Sequence, residues 1–282
     1  MGEYVTAWFE NCRDISSNTR AQREILIRKH ITPEIGHKRL SNLTPHDLTT
    51  MYRHLATNER EDGKGTLSLR TVAICHSVMH KALKEAVESE ILSSNPADRA
   101  RPMRTTSHEI VPLSEEELGA FLSTADRLES RYVALYVLAV DSGLRLGELL
   151  ALRWSDVDLE KGTLSVRHTL LRKGHDIEAR ITETKTGSKG ARFIEIDASA
   201  LAALREHRRQ QVQERLALGP KWEDHNLVFA NTKGKATTDT QIRSRDMGRI
   251  IKEAGMRHFR PHDLRHTSAT MLLGEGVQAK VI

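Results

Sequence analysis

The longest uninterrupted apolar run in this chain is Tyr132–Val140, nine residues that stop at Asp141-Ser142-Gly143. Nine residues is about half of what a membrane-spanning helix needs. The run therefore predicts a buried helix inside a folded domain, broken at Ser142-Gly143. A helix apolar on all sides needs neighbours on all sides, so the second half of the chain must build a core around it.

Around that run the chain is polar. Of its 282 residues, 38% are hydrophobic and 29% charged, and the formal net charge is +5. This length suits two domains, and the composition excludes a disordered tail. The two cysteines, Cys12 and Cys75, cannot build a disulfide framework or a Cys-rich zinc site. The N-terminus has no basic stretch followed by an apolar one, so no secretory signal is read there. A cytoplasmic protein without membrane contact is expected.

The net charge conceals a pattern. Residues 111–160 carry −6, whereas residues 161–192 and 233–265 carry +5 each. Two basic segments that met in space would attract phosphates. Charge alone leaves the plainer alternative open, that these residues only solubilise loops.

Residues 1–97 read as a helical domain. Thr44-Pro45-His46-Asp47 is a helix start. Val72, Met79, Leu83 and Val87 recur at helical spacing, and Asn95-Pro96 is expected to end that stretch. Residues 98–110 are polar and basic and read as a linker, with Arg99, Arg101 and Arg104 able to follow a nucleic-acid backbone. The domain expected over 111–282 opens with a capping box, Ser114 and Glu117. The alternation Leu164, Val166, His168, Leu170 suggests one strand. Residues 181–184 and 192–196 flank Lys185-Thr186-Gly187-Ser188-Lys189-Gly190 and read as a hairpin. A last helix should start at Pro261 and stop near Gly274 or Gly276.

Three places can carry chemistry. Arg145 sits in Ser-Gly-Leu-Arg-Leu-Gly-Glu, and Glu148 lies three residues on, within reach on one helix face. The pair could equally be an ion pair pinning two helices. Lys185 at a hairpin tip could swing into a site, or simply face solvent. His262, Arg265 and His266 share a face at the start of the last helix, where main-chain N–H groups favour anions. His262 and His266 at i, i+4 superficially match a zinc motif, but Asp263 replaces its Glu and Arg265 would place a cation beside the metal. No P-loop is present, because Gly234-Lys235 is followed by Ala236.

Taken in order, these motifs resemble the tyrosine recombinase family, the phage integrases in particular. The resemblance rests on Arg145 in SGLRLGELLALRW, Lys185 in TKTGSKG, and His262 and Arg265 in RPHDLRHTSAT. It implies a mainly α fold with a small antiparallel β-sheet. A helical core-binding domain would precede an α+β catalytic domain. It implies double-stranded DNA as partner, a tetramer on DNA, and no metal, ATP or other cofactor. Strand cleavage would form a 3′-phosphotyrosine and free a 5′-hydroxyl. Arg145 and Arg265 would hold the phosphate, Lys185 would act as general acid, and His262 would handle a proton or donate to phosphate. Glu148 and His266 would support them, and Lys189 would contact DNA.

One departure stands out. The family's nucleophilic Tyr lies C-terminal to the His-x-x-Arg motif. Here Tyr4, Tyr52, Tyr132 and Tyr136 all precede Arg145, and the family's further His or Trp has no counterpart either. The resemblance thus implies a chain truncated before the nucleophile, with weakened tetramer assembly. Its expected activities are DNA binding without a covalent link, or the role of a decayed integrase occupying attachment or operator sites.

Overall fold

In a computed structural model, the described residues are 1–104 and 111–274, apart from 14, 60–62, 64, 172–179 and 184–191. The chain forms two compact units, Met1–His108 and Glu109–Ile282. It is mainly helical with a small antiparallel sheet.

The first unit contains helices α1 (Gly2–Asn11), α2 (Ser17–Leu26), α3 (Thr32–Ile35), α4 (Pro45–Thr57) and α5 (Leu69–Glu88). Thr44 caps α4 by a reciprocal box: its Oγ1 accepts from the Asp47 N–H, and the Asp47 carboxylate accepts from the Thr44 N–H. Ser68 caps α5 by accepting from the Thr71 N–H. The apolar faces bury Val5, Trp8, Ile31, Leu48, Met51, Val72, Met79 and Leu83 in one core. Helix α5 ends at Glu88, well before the expected stop at Asn95-Pro96. Glu90 turns left-handed (φ 59°) and breaks it first. Asn95 instead accepts from the Ala97 N–H and opens a short 3₁₀ turn, Pro96–Asp98. Ala97 and Ala100 are buried in this core, so packing continues past residue 97.

The second unit opens with α6 (Glu115–Arg127), capped by Ser114 and Glu117 as expected. Next comes α7 (Val133–Ser142), the apolar run. Its Leu135, Tyr136, Leu138 and Ala139 are buried, and Val133, Val137 and Val140 pack partly buried on the same core. The Phe121 ring meets Tyr136 and Phe259 edge to face, with centroids 5.0 and 5.2 Å apart. Gly143 ends α7 at φ 58°, and α8 (Leu146–Ala151) follows at once.

The strands are β1 (Val157–Asp158), β2 (Thr163–Val166), β3 (His168–Leu171), β4 (Arg180–Glu183) and β5 (Arg192–Glu195). The expected single strand over 163–170 is two strands in two sheets. β2 joins the order β1-β2-β5, while β3 pairs with β4. β3 is drawn onto α8, where Gly147 makes room: a Cβ there would lie 2.8 Å from Thr169 Oγ1. The expected hairpin between 181–184 and 192–196 is also not found. β4 pairs back on β3 (Thr169↔Thr182) and β5 pairs on β2 (Leu164↔Ile194). Burial of Leu164 and Val166 in the core, with Ile194 partly buried against it, decides the partner, and local turn chemistry does not encode it.

Helix α9 (Ala198–Leu218) is capped by Asp197 and ends at Gly219-Pro220. A π-helical stretch, Gln241–Met247, runs into α10 (Gly248–Glu253). Helix α11 (Pro261–Gly274) starts at the expected proline.

Candidate active site

Three secondary-structure starts bring the site residues together. Arg145 is the residue before α8 and follows directly on the Gly143 turn. Its main-chain N–H donates to Glu148 Oε2 (2.9 Å), and its Nη1 donates to Glu148 Oε1 (3.2 Å). Glu148 is only 6% exposed, whereas the Arg145 side chain is 58% exposed. The carboxylate is thus fixed in the protein and the guanidinium head faces solvent.

Helix α11 supplies the other half. The Asp263 carboxylate accepts from the Arg260 N–H (2.8 Å) and so closes the first turn. Thr267 Oγ1 donates to the Asp263 carbonyl and accepts from the Leu113 N–H, pinning α11 to the start of this unit. With the helix held, Arg265 Nη1 donates to the Gly143 carbonyl. Burial holds the Arg265 guanidinium below its ordinary range, and the cations Arg145 and Arg192 push the same way against Glu148. Arginine stays charged regardless.

His262 and His266 meet edge to face with centroids 4.8 Å apart. The His262 pKa lies below its ordinary value, first because of desolvation, then because of His266, Arg265 and Arg145 nearby. Near neutral pH His262 is therefore mostly an unprotonated imidazole. Among the described residues, no three His, Cys, Asp or Glu side chains are grouped to hold a metal.

Arg145, Glu148, His262, Arg265 and His266 therefore belong to one cluster. Lys185 and Lys189 lie outside the described residues. Arg99, Arg101 and Arg104 are exposed in the first unit. Sequence reasoning missed Arg192, whose Nη2 donates to Glu148 Oε2 at 2.9 Å. It also missed the Gly143 carbonyl as the acceptor for Arg265. Arg192 starts a strand in a basic segment, and no local motif separates it from the other cations there.

Chemically, the cluster is a cationic surface around one buried carboxylate, with imidazoles at its edge. Three guanidinium groups against one carboxylate leave excess positive charge, suited to phosphate oxygens. Every tyrosine hydroxyl is occupied elsewhere. Tyr4 donates to the Ala82 carbonyl, Tyr136 donates to Asp246, Tyr52 meets His76, and Tyr132 meets Thr237. Burial raises the pKa of all four phenols. Among the described residues, no helix is long and apolar enough to cross a membrane.

Such an arginine–histidine cluster suits the binding of phosphate oxygens. Residues 112–282 match the phage integrase family, and residues 1–56 match the phage integrase N-terminal SAM-like domain. The chain belongs to the phage integrase family. An integrase of Saccharopolyspora erythraea is 26% identical over 330 residues, covering 99% of this chain and 74% of that protein. A XerC-like tyrosine recombinase of Caldanaerobacter subterraneus is 28% identical over 230 residues, covering 76% of this chain and 58% of that protein. The chain thus spans roughly three-fifths to three-quarters of the length of these relatives. Among solved structures, the Tn1549 transposon integrase in complex with circular intermediate DNA shares the fold. Its TM-score is 0.81 at 22% identity, covering 99% of this chain and 89% of that one. A lambda integrase dimer bound to a core site shares it too, at TM-score 0.71 and 18% identity, covering 100% and 92%.

Proposed function

We propose that the chain carries the DNA-binding and phosphate-activating portion of a site-specific recombinase, which cuts and rejoins DNA through a phosphotyrosine. The observation that supports this best is the convergence of Arg145, just before α8, and Arg265 of α11, which donates to the Gly143 carbonyl two residues before Arg145, with His262 one turn from Arg265. In the transition state, negative charge grows on the two non-bridging oxygens of the scissile phosphate. Two forked guanidinium donors stabilise it there. The leaving 5′-oxygen needs a proton, which Lys185 supplies in this reading. Unprotonated His262 accepts or passes a proton. Glu148 holds the Arg145 main-chain N–H and so the start of α8, and His266 packs on His262. Arg99, Arg101, Arg104 and Lys189 contact the DNA backbone. No metal, ATP or other cofactor takes part. The intact recombinase acts on double-stranded DNA in the cytoplasm and assembles on it as a tetramer, an assembly weakened in this chain.

Duplex binding tests the reading. Neutralising Z phosphates gives a slope of log K on log salt of about −0.9Z. Salt-insensitive binding, or binding unchanged by Arg265→Ala together with Arg145→Ala, would sink it.

A second reading has its own observation. All four tyrosine hydroxyls are engaged by partners outside the arginine pair, and burial holds them protonated. Residues 1–282 alone would then bind DNA at attachment or operator sites without forming a covalent link. Incubation with nicked duplexes, followed by denaturing electrophoresis, decides this. A protein–DNA band that survives denaturation would remove the second reading.

A further inference from the structure

Glu148 is a buried carboxylate shared by two arginines. Its Oε1 accepts from Arg145 Nη1 at 3.2 Å. Its Oε2 accepts from the Arg145 main chain and from Arg192 Nη2, both at 2.9 Å. The two guanidinium groups are not equivalent. Arg192 begins β5 and is fixed by its register opposite Val166 of β2. Arg145 precedes α8 on the Gly143 turn, and its side chain is the more exposed, 58% against 43%.

We propose that Arg192 is a positioning residue whose guanidinium neutralises Glu148 and so leaves the Arg145 guanidinium free to engage a phosphate. This rests on the phosphate-handling reading above. A buried carboxylate with a single cationic partner holds that partner tightly, because releasing it would strand an uncompensated charge. With Arg192 in place, Arg145 can leave Glu148 while the carboxylate remains paired. Without Arg192, Glu148 claims Arg145, and the site loses one unit of positive charge as well. The assigned partner is an anionic phosphoryl group, and Arg192 acts on it through Glu148 without touching it.

The test titrates inorganic phosphate into the full chain and reads affinity by isothermal titration calorimetry. Arg192→Gln should weaken phosphate by roughly fivefold, within the range of coupling between charged neighbours. Arg192→Lys keeps the charge and should restore most of the affinity. Adding Glu148→Gln to Arg192→Gln removes the charge that Arg192 was balancing, and should return affinity to within about twofold of the original. A double variant as weak as Arg192→Gln alone would overturn the proposal, because it would mean direct phosphate contact or a purely structural role. Unchanged affinity in Arg192→Gln would also overturn it. Should Arg192→Gln fail to fold, Glu148→Gln alone must tighten phosphate, and failure to do so counts against the proposal. If Arg265→Ala leaves phosphate binding intact, the phosphate-handling reading itself fails. If Arg265→Ala abolishes binding while Arg192→Gln changes nothing, only the present inference fails.

Discussion

The Arg265 guanidinium of α11 donates to the main-chain carbonyl of Gly143, the residue that ends α7. One contact thus couples α11 to the turn that launches Arg145. The turn needs a left-handed residue, since Gly143 has φ 58°. An added Cβ would also lie 3.2 Å from Ser268 Oγ on α11.

Gly143→Ala should therefore destabilise the protein by about 1–2 kcal/mol, the cost of a left-handed L-residue. It should also weaken phosphate binding by displacing the carbonyl that holds Arg265. Urea unfolding and phosphate titration check the two effects separately. An alanine variant as stable as the parent would contradict the strain argument.

His262 should titrate below the ordinary histidine value. Burial comes first among the causes, followed by the neighbouring His266, Arg265 and Arg145. Arg265→Ala removes one of those cations and should shift the His262 midpoint upward. The Cε1–H chemical shift followed against pH reads this directly. A downward shift would show that the cations do not act on the imidazole.

His207 is buried, stacks on Trp154, and donates Nε2–H to the Val228 carbonyl at 2.7 Å. Burial lowers its pKa to about 4. The unfolded state takes up a proton near the ordinary value of about 6.5, so it binds more protons than the fold between those two values. Stability contributed by neutral His207 is therefore present above that window and lost as pH falls through it. The loss from pH 7 to pH 5 is about 2 kcal/mol for this one group. Comparing the pH dependence of unfolding in the parent and in His207→Gln isolates it. Identical slopes would refute the assignment.

Asp141 behaves in the opposite sense. Burial, then the Asp197 carboxylate, raises its pKa to about 6, and its Oδ2 has no hydrogen-bond partner. The fold therefore holds the Asp141 proton more tightly than the unfolded chain does, and its penalty grows as pH rises through about 6. Asp141→Asn should stabilise the protein by about 1 kcal/mol at pH 8, after allowance for partial solvent screening, and by less at pH 5. Destabilisation at pH 8 would mean that the carboxylate has a favourable partner.

Much of this was legible from local chemistry. Caps at Thr44 and Ser114, the apolar run of α7, the Gly143 stop and the Pro261 start are all written within a few residues of where they act. Arg145, Glu148, His262 and Arg265 were legible for the same reason, as spacings on single helices. The strand partners were not, because β5 chooses β2 through side chains distant in sequence. Arg192 escaped for that reason too. Its importance comes from register against β2 and from a carboxylate forty-four residues away, neither of which marks the residue itself.

The Arg145–Arg265 cluster is also discontinuous along the chain, and this has a consequence during synthesis. Domains form from the N-terminal side as the polypeptide leaves the ribosome. A nascent chain that has folded α7 and α8 already displays Arg145 and Glu148, yet Gly143 has no α11 to receive. The arginine cluster closes only when Arg265 emerges. A chain stopped before α11 would thus lack the Arg265 half of the cluster, which arrives well after Arg145 and Glu148.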